Sequence, residues 1–277
     1  MQKKKAEGRV LAVFLITLIT MVGEIIGGYV FNSVALLADG IHMGSHALAF
    51  GISFLAYYLA RRWSVGGGFT FGTWKVEVLG AYTSGVLLFF MSFLILEEAL
   101  LKLLKGGEIN YEPALLVAFV GLGVNLLSAY LLHEEEEHDH NLRSAFVHVL
   151  ADAFTSLLAI LSLLSGKYLG LWFLDALAGF LGFFVVLRWS WGIVRETANI
   201  LLDREAKNPL VEEIIRAVQE DGVSKVYDIH LIRIYNDRYA CVLGIETSGG
   251  QSLEHYEKIL SSFDCIAHAT VEVRYCT

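Results

Sequence analysis

Six long apolar segments constrain the fold of this chain more than any other feature. They lie at approximately 10–31, 34–60, 77–104, 113–133, 142–165 and 171–194. Each is long enough to cross the hydrocarbon core of a bilayer, which takes about 20 mostly apolar residues. We therefore predict a multi-pass α-helical membrane protein with six transmembrane helices.

The pattern changes after residue 203, so we divide the chain into a transmembrane domain of residues 1–203 and a C-terminal domain of residues 204–277. "NPLVEEIIRAVQE" has the periodicity of an amphipathic helix that starts at Asn-Pro. "KVYDIHLIRIY" and "RYACVLGIET" alternate as strands do, with "NDR" as the turn between them. "SLEHYEKILSSF" indicates another helix, and "HATVEVRYC" another strand. The order α-β-β-α-β predicts a small α+β domain, for which we expect a ferredoxin-like fold.

The basic residues near the ends of the spans predict the orientation of the chain. One side of the membrane receives Lys3, Lys4, Lys5, Arg9, Arg61, Arg62, Lys75, Arg143 and Arg195. The loops on the opposite side carry only Lys102, Lys105 and Lys167. Positive charge accumulates on the cytoplasmic side. Both termini and the C-terminal domain are therefore expected in the cytoplasm, with the spans in the cytoplasmic (inner) membrane of a prokaryote.

Charge and cysteine content exclude some classes of partner and of fold. The formal net charge is −8, and no basic face appears that would bind a nucleic acid. The three cysteines are Cys241, Cys265 and Cys276, an odd number without CxxC spacing. A disulfide framework is therefore not expected, and a reducing compartment fits.

Two of the apolar segments carry ionisable side chains at matched intervals. The second segment contains "DGIHMGSH", which places His42 and His46 four residues apart, with Asp39 three residues before His42. The fifth contains "HVLAD", with His148 and Asp152 at the same interval. Residues three and four apart share one face of a helix. Two such pairs provide four ligands, the number that a tetrahedral divalent metal requires.

Each of these side chains has a simpler interpretation, in which it forms a hydrogen bond to a neighbouring helix. That interpretation is adequate for one isolated histidine but not for two pairs of equal spacing, because ionisable groups inside a membrane are costly and usually functional. For Asp39 two interpretations remain open. It either orients a histidine ligand as a hydrogen-bond acceptor or lies near the start of a helix, where the dipole favours an anion.

The sequence resembles the cation diffusion facilitators, a family of metal-efflux antiporters. The resemblance rests on "SVALLADGIHMGSH", "NLRSAFVHVLAD" and "FTFGTWKVEVLGA", and it covers nearly the whole chain. It implies a homodimer that exchanges a divalent cation for protons by alternating access and has no permanent cofactor. Carried onto this sequence, the transport site comprises His42, His46, His148 and Asp152.

One departure from the family pattern concerns the metal. Zinc-handling members usually have aspartate at the position of His46, so this chain resembles the cobalt- and nickel-exporting branch with its "HMxxH" form. Three imidazoles and one carboxylate suit Co²⁺, Ni²⁺ and Zn²⁺ and disfavour manganese and magnesium, which prefer oxygen ligands. Zinc or cadmium efflux by the same mechanism stays open as an alternative.

Proton exchange follows from the ligand chemistry. Metal binding requires neutral imidazoles and an ionised carboxylate, so it expels protons. The unperturbed pKa of histidine, about 6.5, lies close to the pH range over which a cell and its exterior differ. We expect an inward-facing site to bind metal and external protons to help release it.

Two further histidine groups have both a functional and an ordinary interpretation. The segment "HEEEEHDHN" (133–141) is either a loose collector of metal, through His133, His138 and His140, or a solvated linker. In the C-terminal domain a regulatory metal site would use His230, His255, His268 and Cys276. Several family members have a metal-binding histidine at the position of Tyr227, so packing and surface roles are favoured there.

Other polar residues in the apolar segments include Glu24, Asn125 and Asp175. For each we favour a hydrogen bond between helices. The rival functional classes are a membrane metalloenzyme that uses the "HMGSH" box and a metal-sensing receptor with a membrane anchor. The first lacks the additional histidine boxes of di-iron enzymes and an HExxH motif. The second leaves both intramembrane pairs unexplained, so we predict a transporter and not an enzyme.

Overall fold

The computed structural model describes the backbone of residues 2–64, 67–106, 108–136 and 140–276. Within these ranges, side chains are described except at 2–14, 45, 46, 48–50, 53, 131–136 and 140–151. Six long helices come first in the chain. They are α1 (Gln2–Val30), α2 (Val34–Ser64), α3 (Trp74–Lys105), α4 (Tyr111–Glu136), α5 (His140–Leu169) and α6 (Phe173–Leu201).

These helices match the six apolar segments in number and order. Within the described part of the chain, three stretches are long and apolar enough to cross a membrane: Trp74–Lys105, Tyr111–Tyr130 and Phe173–Leu201. The stretches Leu15–Val30 and Val34–Gly44 are apolar but shorter. Helix α4 continues to Glu136. The predicted linker 133–141 is therefore shorter than expected, because its first four residues are helical.

The chain divides into two compact units, and the first comprises Met1–Gly51 and Ser84–Gly192. Helix α2 is central to this unit. Leu36 packs with residues of α4 and α5, including Ala118 and Ile160. Leu37 and Ala38 pack instead with residues of α3 and α6. Because α2 has helical neighbours on both sides, its side chains are buried over most of the range 34–44.

Close contact with α2 depends on glycines in the helices beside it. A side chain at Gly28 of α1 would meet the backbone of Leu37 at 2.6 Å. A side chain at Gly182 of α6 would come within 2.9 Å of Ala38. Small residues allow helix backbones to approach closely in membranes, where the hydrophobic effect does not drive association. The sequence of these helices therefore permits tight packing around α2.

The first turn of α2 is held by side chains from other parts of the unit. Ser33 caps the helix, since its Oγ accepts a hydrogen bond from the Leu36 amide at 3.2 Å. Asp175 of α6 accepts hydrogen bonds from the Ser33 hydroxyl at 2.7 Å and from the Val34 amide at 2.8 Å. Lys102, which we had placed in a loop, is a buried residue in the last turn of α3 and donates to the Asn32 carbonyl at 2.6 Å.

The second unit comprises Ile52–Thr83 and Ile193–Thr277. Its C-terminal part contains α7 (Pro209–Val218), a 3₁₀ turn (Gln219–Asp221), β1 (Ser224–Tyr235), β2 (Arg238–Thr247), α8 (Leu253–Ser261) and β3 (Ile266–Tyr275). This order confirms the predicted α-β-β-α-β pattern. The sheet order is β1-β2-β3, with β1 and β2 antiparallel and β2 and β3 parallel.

The two helices pack on this sheet and form the core of the C-terminal domain. Helix α7 begins at Asn208, whose side chain accepts a hydrogen bond from the Leu210 amide. The core residues are Leu210, Ile214, Val218, Leu231, Tyr239, Cys241, Leu243, Ile245, Tyr256 and Leu260. Strand β2 supplies four of them and is thus the most buried strand.

Ion pairs connect the C-terminal domain to the helix ends in the same unit. Lys75, at the start of α3, lies 2.7 Å from Asp203. Arg233 of β1 lies 2.9 Å from Glu205, which is largely buried. Asp203 and Glu205 both belong to the link between α6 and α7, so this link is anchored on two sides.

The hydrogen bonds that Asp175 accepts at the start of α2 can be tested by substitution. Replacing Asp175 by Asn removes the charge and leaves one oxygen for three donors. We expect a loss of about 1–3 kcal/mol in unfolding free energy, the usual cost of leaving buried hydrogen-bonding groups unsatisfied. Thermal unfolding of the purified protein in detergent measures this loss. The matched control is Glu112→Gln, because Glu112 forms an exposed ion pair with Lys167. Equal stability of both variants would contradict the assigned role.

Candidate metal site

Two of the four predicted ligands have described side chains, and these lie together. His42 of α2 and Asp152 of α5 are both buried. The Nε2 atom of His42 is 3.2 Å from Oδ1 of Asp152. Residues separated by more than one hundred positions thus meet in the interior of the first unit, where imidazole nitrogen and carboxylate oxygen can bind one cation together.

The side chains of His46 and His148 lie outside the described residues. Their backbones belong to α2 and α5, each four residues from its partner ligand. Within the described part of the chain, no group of three or more histidine, cysteine, aspartate and glutamate side chains could hold a metal. The four-residue set therefore stays a prediction.

Asp39 provides a second contact between the same two helices. Its Oδ1 accepts a hydrogen bond from the Thr155 hydroxyl at 2.7 Å. Thr155 follows Asp152 by three residues, and its hydroxyl also lies 2.8 Å from the Asp152 carbonyl. Asp39 is the sixth residue of α2, beyond the first turn in which the helix dipole acts. Of the two interpretations of Asp39, its position favours a role beside the ligands.

A third contact lies close to this pair. The side-chain amide of Asn125 in α4 donates to the Ser156 hydroxyl of α5 at 3.1 Å. This bond confirms the predicted helix-to-helix hydrogen bond of Asn125, and the bonds from Asp175 to the start of α2 confirm the same prediction there. The prediction for Glu24 is wrong among the described residues, because neither of its carboxylate oxygens has a hydrogen-bond partner.

Two cavities reach His42. One, of about 180 Å³, lies between α2, α5 and α6 and is lined by Asp39, His42, Thr155 and mainly apolar residues. The other, of about 900 Å³, is more open and is lined by His42, Thr155, Arg188 and Trp189 among others. An ion at the His42–Asp152 pair would therefore border space that water can enter.

Three residues around the pair were not predicted from the sequence: Thr155, Ser156 and Arg188. Thr155 and Ser156 follow Asp152 at intervals of three and four residues, which place them on its helix face. That spacing could have identified both residues as neighbours of Asp152 from the sequence alone. Arg188 is a charged residue inside the sixth apolar segment, and its position alone was a reason to examine it.

The predicted histidines of the C-terminal domain have described side chains, and each contacts a different group. His230 is exposed and lies 2.9 Å from Asp228 of the same strand. His255 packs edge-on against Tyr256, and His268 packs edge-on against Phe71. Cys276 is exposed. These contacts agree with the packing and surface roles that we favoured.

The remaining predictions concern the three cysteines and the histidines of the acidic segment 133–141. All three cysteines are described, and none forms a disulfide. Burial raises the pKa of the Cys241 thiol to about 11, so it stays protonated at neutral pH and does not act as a thiolate ligand. His133 and His140 belong to α4 and α5, but their side chains, like all of His138, lie outside the described residues.

Comparison with known proteins connects this geometry to a family. The family described as "Cation efflux transmembrane domain" matches residues 10–202, which is more than half of the chain. The match includes all six long helices except the start of α1, and both His42 and Asp152.

Curated relatives match over almost the full length. A cadmium, cobalt and zinc/H(+)-K(+) antiporter of Bacillus subtilis is 28% identical over 96% of this chain and 90% of the relative. The zinc transporter ZitB of Pectobacterium atrosepticum is 30% identical over 96% and 85%. The metal cation efflux system protein CzcD of Cupriavidus metallidurans is 26% identical over 91% and 81%.

These relatives are named as transporters or efflux proteins, which excludes the membrane metalloenzyme considered above. The paired residues of α2 and α5, the family match and the length of the shared sequence support one conclusion. This chain belongs to the cation efflux family of multi-pass membrane transporters, and it is not an enzyme.

Proposed function

We propose that this protein exports a divalent metal ion from the cytoplasm in exchange for external protons. The observation that carries the proposal is the buried contact between His42 and Asp152, on two helices of the family's transmembrane domain. The four ligands in this proposal are His42, His46, His148 and Asp152. The relatives support the cargo and the exchange, since their names include zinc, cobalt, cadmium and H⁺.

The proposal includes six membrane spans with both termini in the cytoplasm. Helices α1, α2 and α5 contain 29, 31 and 30 residues. At about 1.5 Å per residue they are roughly 43–46 Å long, more than the ~30 Å hydrocarbon core. The chain boundary at 203/204, a ferredoxin-like cytoplasmic domain and a homodimer belong to the same proposal.

The exchange can be derived from the chemistry of the site. In the inward-facing state the imidazoles are neutral and Asp152 is ionised, so a metal ion can displace water and bind. In the outward-facing state protons compete for His42, His46 or His148 and weaken metal binding. Asp39 and Thr155 connect α2 to α5 beside the site, so they keep the two ligand-bearing helices in register. Each proton that returns also gains about 2.3 kcal/mol per 100 mV of membrane potential.

The identity of the metal depends on His46. With three imidazoles and one carboxylate, the site is rich in nitrogen and carries less negative charge than one with an aspartate at 46. Such a site binds Co²⁺, Ni²⁺ and Zn²⁺, and we propose cobalt or nickel as the cargo. Zinc or cadmium efflux is the second candidate, favoured by the names of the relatives.

The segment 133–141 and the C-terminal histidines have lesser parts in the proposal. His133, His138 and His140 would collect metal near the transport site with low affinity. A regulatory site at His230, His255, His268 and Cys276 is not favoured, because the described contacts of these residues are with other groups.

Removing the described ligands tests the site. We expect His42→Ala and Asp152→Ala each to lower metal uptake into inside-out vesicles at least tenfold, because each loses one of four bonds to the ion. The control is His230→Ala, which removes a histidine of similar proximity to an aspartate but outside the transport domain. Uptake at the level of the unchanged protein in either ligand variant would refute the site.

Changing His46 tests the choice of metal. We expect His46→Asp to shift preference from cobalt and nickel toward zinc, since it exchanges an imidazole for a charged oxygen ligand. Uptake of Co²⁺, Ni²⁺, Zn²⁺, Cd²⁺ and Mn²⁺ should be measured in parallel for both proteins. An unchanged order of the five metals would remove the basis for the cobalt and nickel assignment.

The proton gradient tests the exchange step. Metal uptake into inside-out vesicles should rise when the vesicle lumen, which corresponds to the cell exterior, is made more acidic. The physical reason is that protons from the lumen compete with metal for imidazole nitrogens and speed its release. A protonophore serves as control. If uptake stayed the same with and without the gradient, metal export would not be coupled to protons.

A further inference from the structure

Glu24 is an acidic side chain that the proposed site does not use. It lies in the apolar stretch Leu15–Val30 of α1 and is completely buried. Among the described residues, neither of its oxygens has a hydrogen-bond partner. Asp175, in the same unit, accepts three hydrogen bonds. Glu24 therefore needs a different source of stabilisation.

The neighbouring helices leave space for this side chain. A side chain at Gly121 of α4 would overlap Oε1 of Glu24. A side chain at Gly40 of α2 would come within 3.0 Å of the Glu24 Cβ atom. Both helices thus have glycine where they meet Glu24, so the carboxyl group is enclosed between α1, α2 and α4.

Among the described residues, two charged groups act on Glu24, and both lie on helices of the proposed metal site. They are Asp39 of α2 and Asp152 of α5, both acidic. Asp152 also contacts His42. Helix α4 offers Gly121 and the neutral amide of Asn125. In an interior of low dielectric constant, a third negative charge without hydrogen bonds is unfavourable.

A divalent ion at the proposed site would instead favour the ionised form of Glu24. Two positive charges at the His42–Asp152 pair would attract the Glu24 carboxylate, and such attraction is stronger where water is excluded. An ionised Glu24 is then stabilised by the cargo itself. Metal occupancy and proton occupancy of Glu24 thereby become mutually exclusive.

We propose that Glu24 carries one of the protons exchanged for the metal, holding it while the site is empty and releasing it when a divalent ion binds. In this step the O–H bond of the carboxylic acid breaks, the carboxylate keeps the electron pair, and a water molecule accepts the proton as hydronium. This inference rests on the proposed function and adds a proton carrier on α1 to the ligands on α2 and α5.

The test counts protons released when Zn²⁺ binds. The full-length protein, purified in detergent and weakly buffered near neutral pH, is titrated with Zn²⁺ in the presence of a pH-indicator dye. Glu24→Gln imitates the protonated acid in size and charge, and it should release about one proton fewer per bound Zn²⁺. Glu24→Asp, which restores an acid, should recover the release. Glu97→Gln removes an exposed carboxyl group of α3 and serves as the control.

A second measurement detects the protonated acid directly, by its infrared absorption. Infrared difference spectra of the unchanged protein should lose a carbonyl band of a protonated carboxylic acid when Zn²⁺ binds, and Glu24→Gln should lack this change. The inference is overturned if that band persists, or if Glu24→Gln binds Zn²⁺ and releases as many protons as the unchanged protein. Either result leaves the proposed function intact. Zn²⁺ binding that survives His42→Ala and Asp152→Ala unchanged would instead refute the proposed function.

Discussion

The apolar surroundings of α2 are the constraint on which the transport domain depends. Inside lipid, an ionisable side chain finds no water and must be stabilised by another helix or by a ligand. His42 and Asp152 meet at 3.2 Å under this constraint. Their contact connects α2 to α5 and brings an imidazole nitrogen and a carboxylate oxygen close together. The cost of burying ionisable side chains in lipid therefore favours both the packing of α2 against α5 and the meeting of His42 with Asp152.

Three buried polar residues show how differently this constraint can be met. Asp175 is satisfied by the first turn of α2 and has a structural role. Asn125 is satisfied by Ser156 of the next helix. Glu24 has no such partner among the described residues, and its charge interacts with those of Asp39 and Asp152. Asp175 and Asn125 thus stabilise the helix bundle through hydrogen bonds. Glu24 does not form such a bond among the described residues, so its carboxyl group could exchange a proton.

The C-terminal domain is stabilised by the burial of apolar side chains and by ion pairs. Its helices bury apolar faces on a three-stranded sheet, and Leu243 and Ile245 of the central strand are fully buried. Ion pairs at Asp203 and Glu205 anchor the connection that leads into it. Both residues lie in the link between α6 and α7, so side-chain contacts hold this link in place.

Much of this organisation could be predicted because periodicity and hydropathy are local properties. The six long helices and the order of the C-terminal elements follow from spacing and residue type over short windows. The spacing of His42 and Asp152 within their own motifs likewise identified both as candidates. The length of the 133–141 linker was overestimated, because a run of charged residues can continue a helix beyond its apolar segment.

The sequence by itself determined that the chain forms long apolar helices and that two of them carry histidine and aspartate side chains at helical intervals. Only the tertiary structure decided which helices touch: that α2 lies at the centre of its unit, that Thr155 reaches Asp39, and that Glu24 lacks the expected hydrogen bond among the residues that the structure describes. The physical reason is that intervals along a helix depend on backbone geometry alone. Contacts between helices depend instead on how side chains far apart in the chain fit together in space.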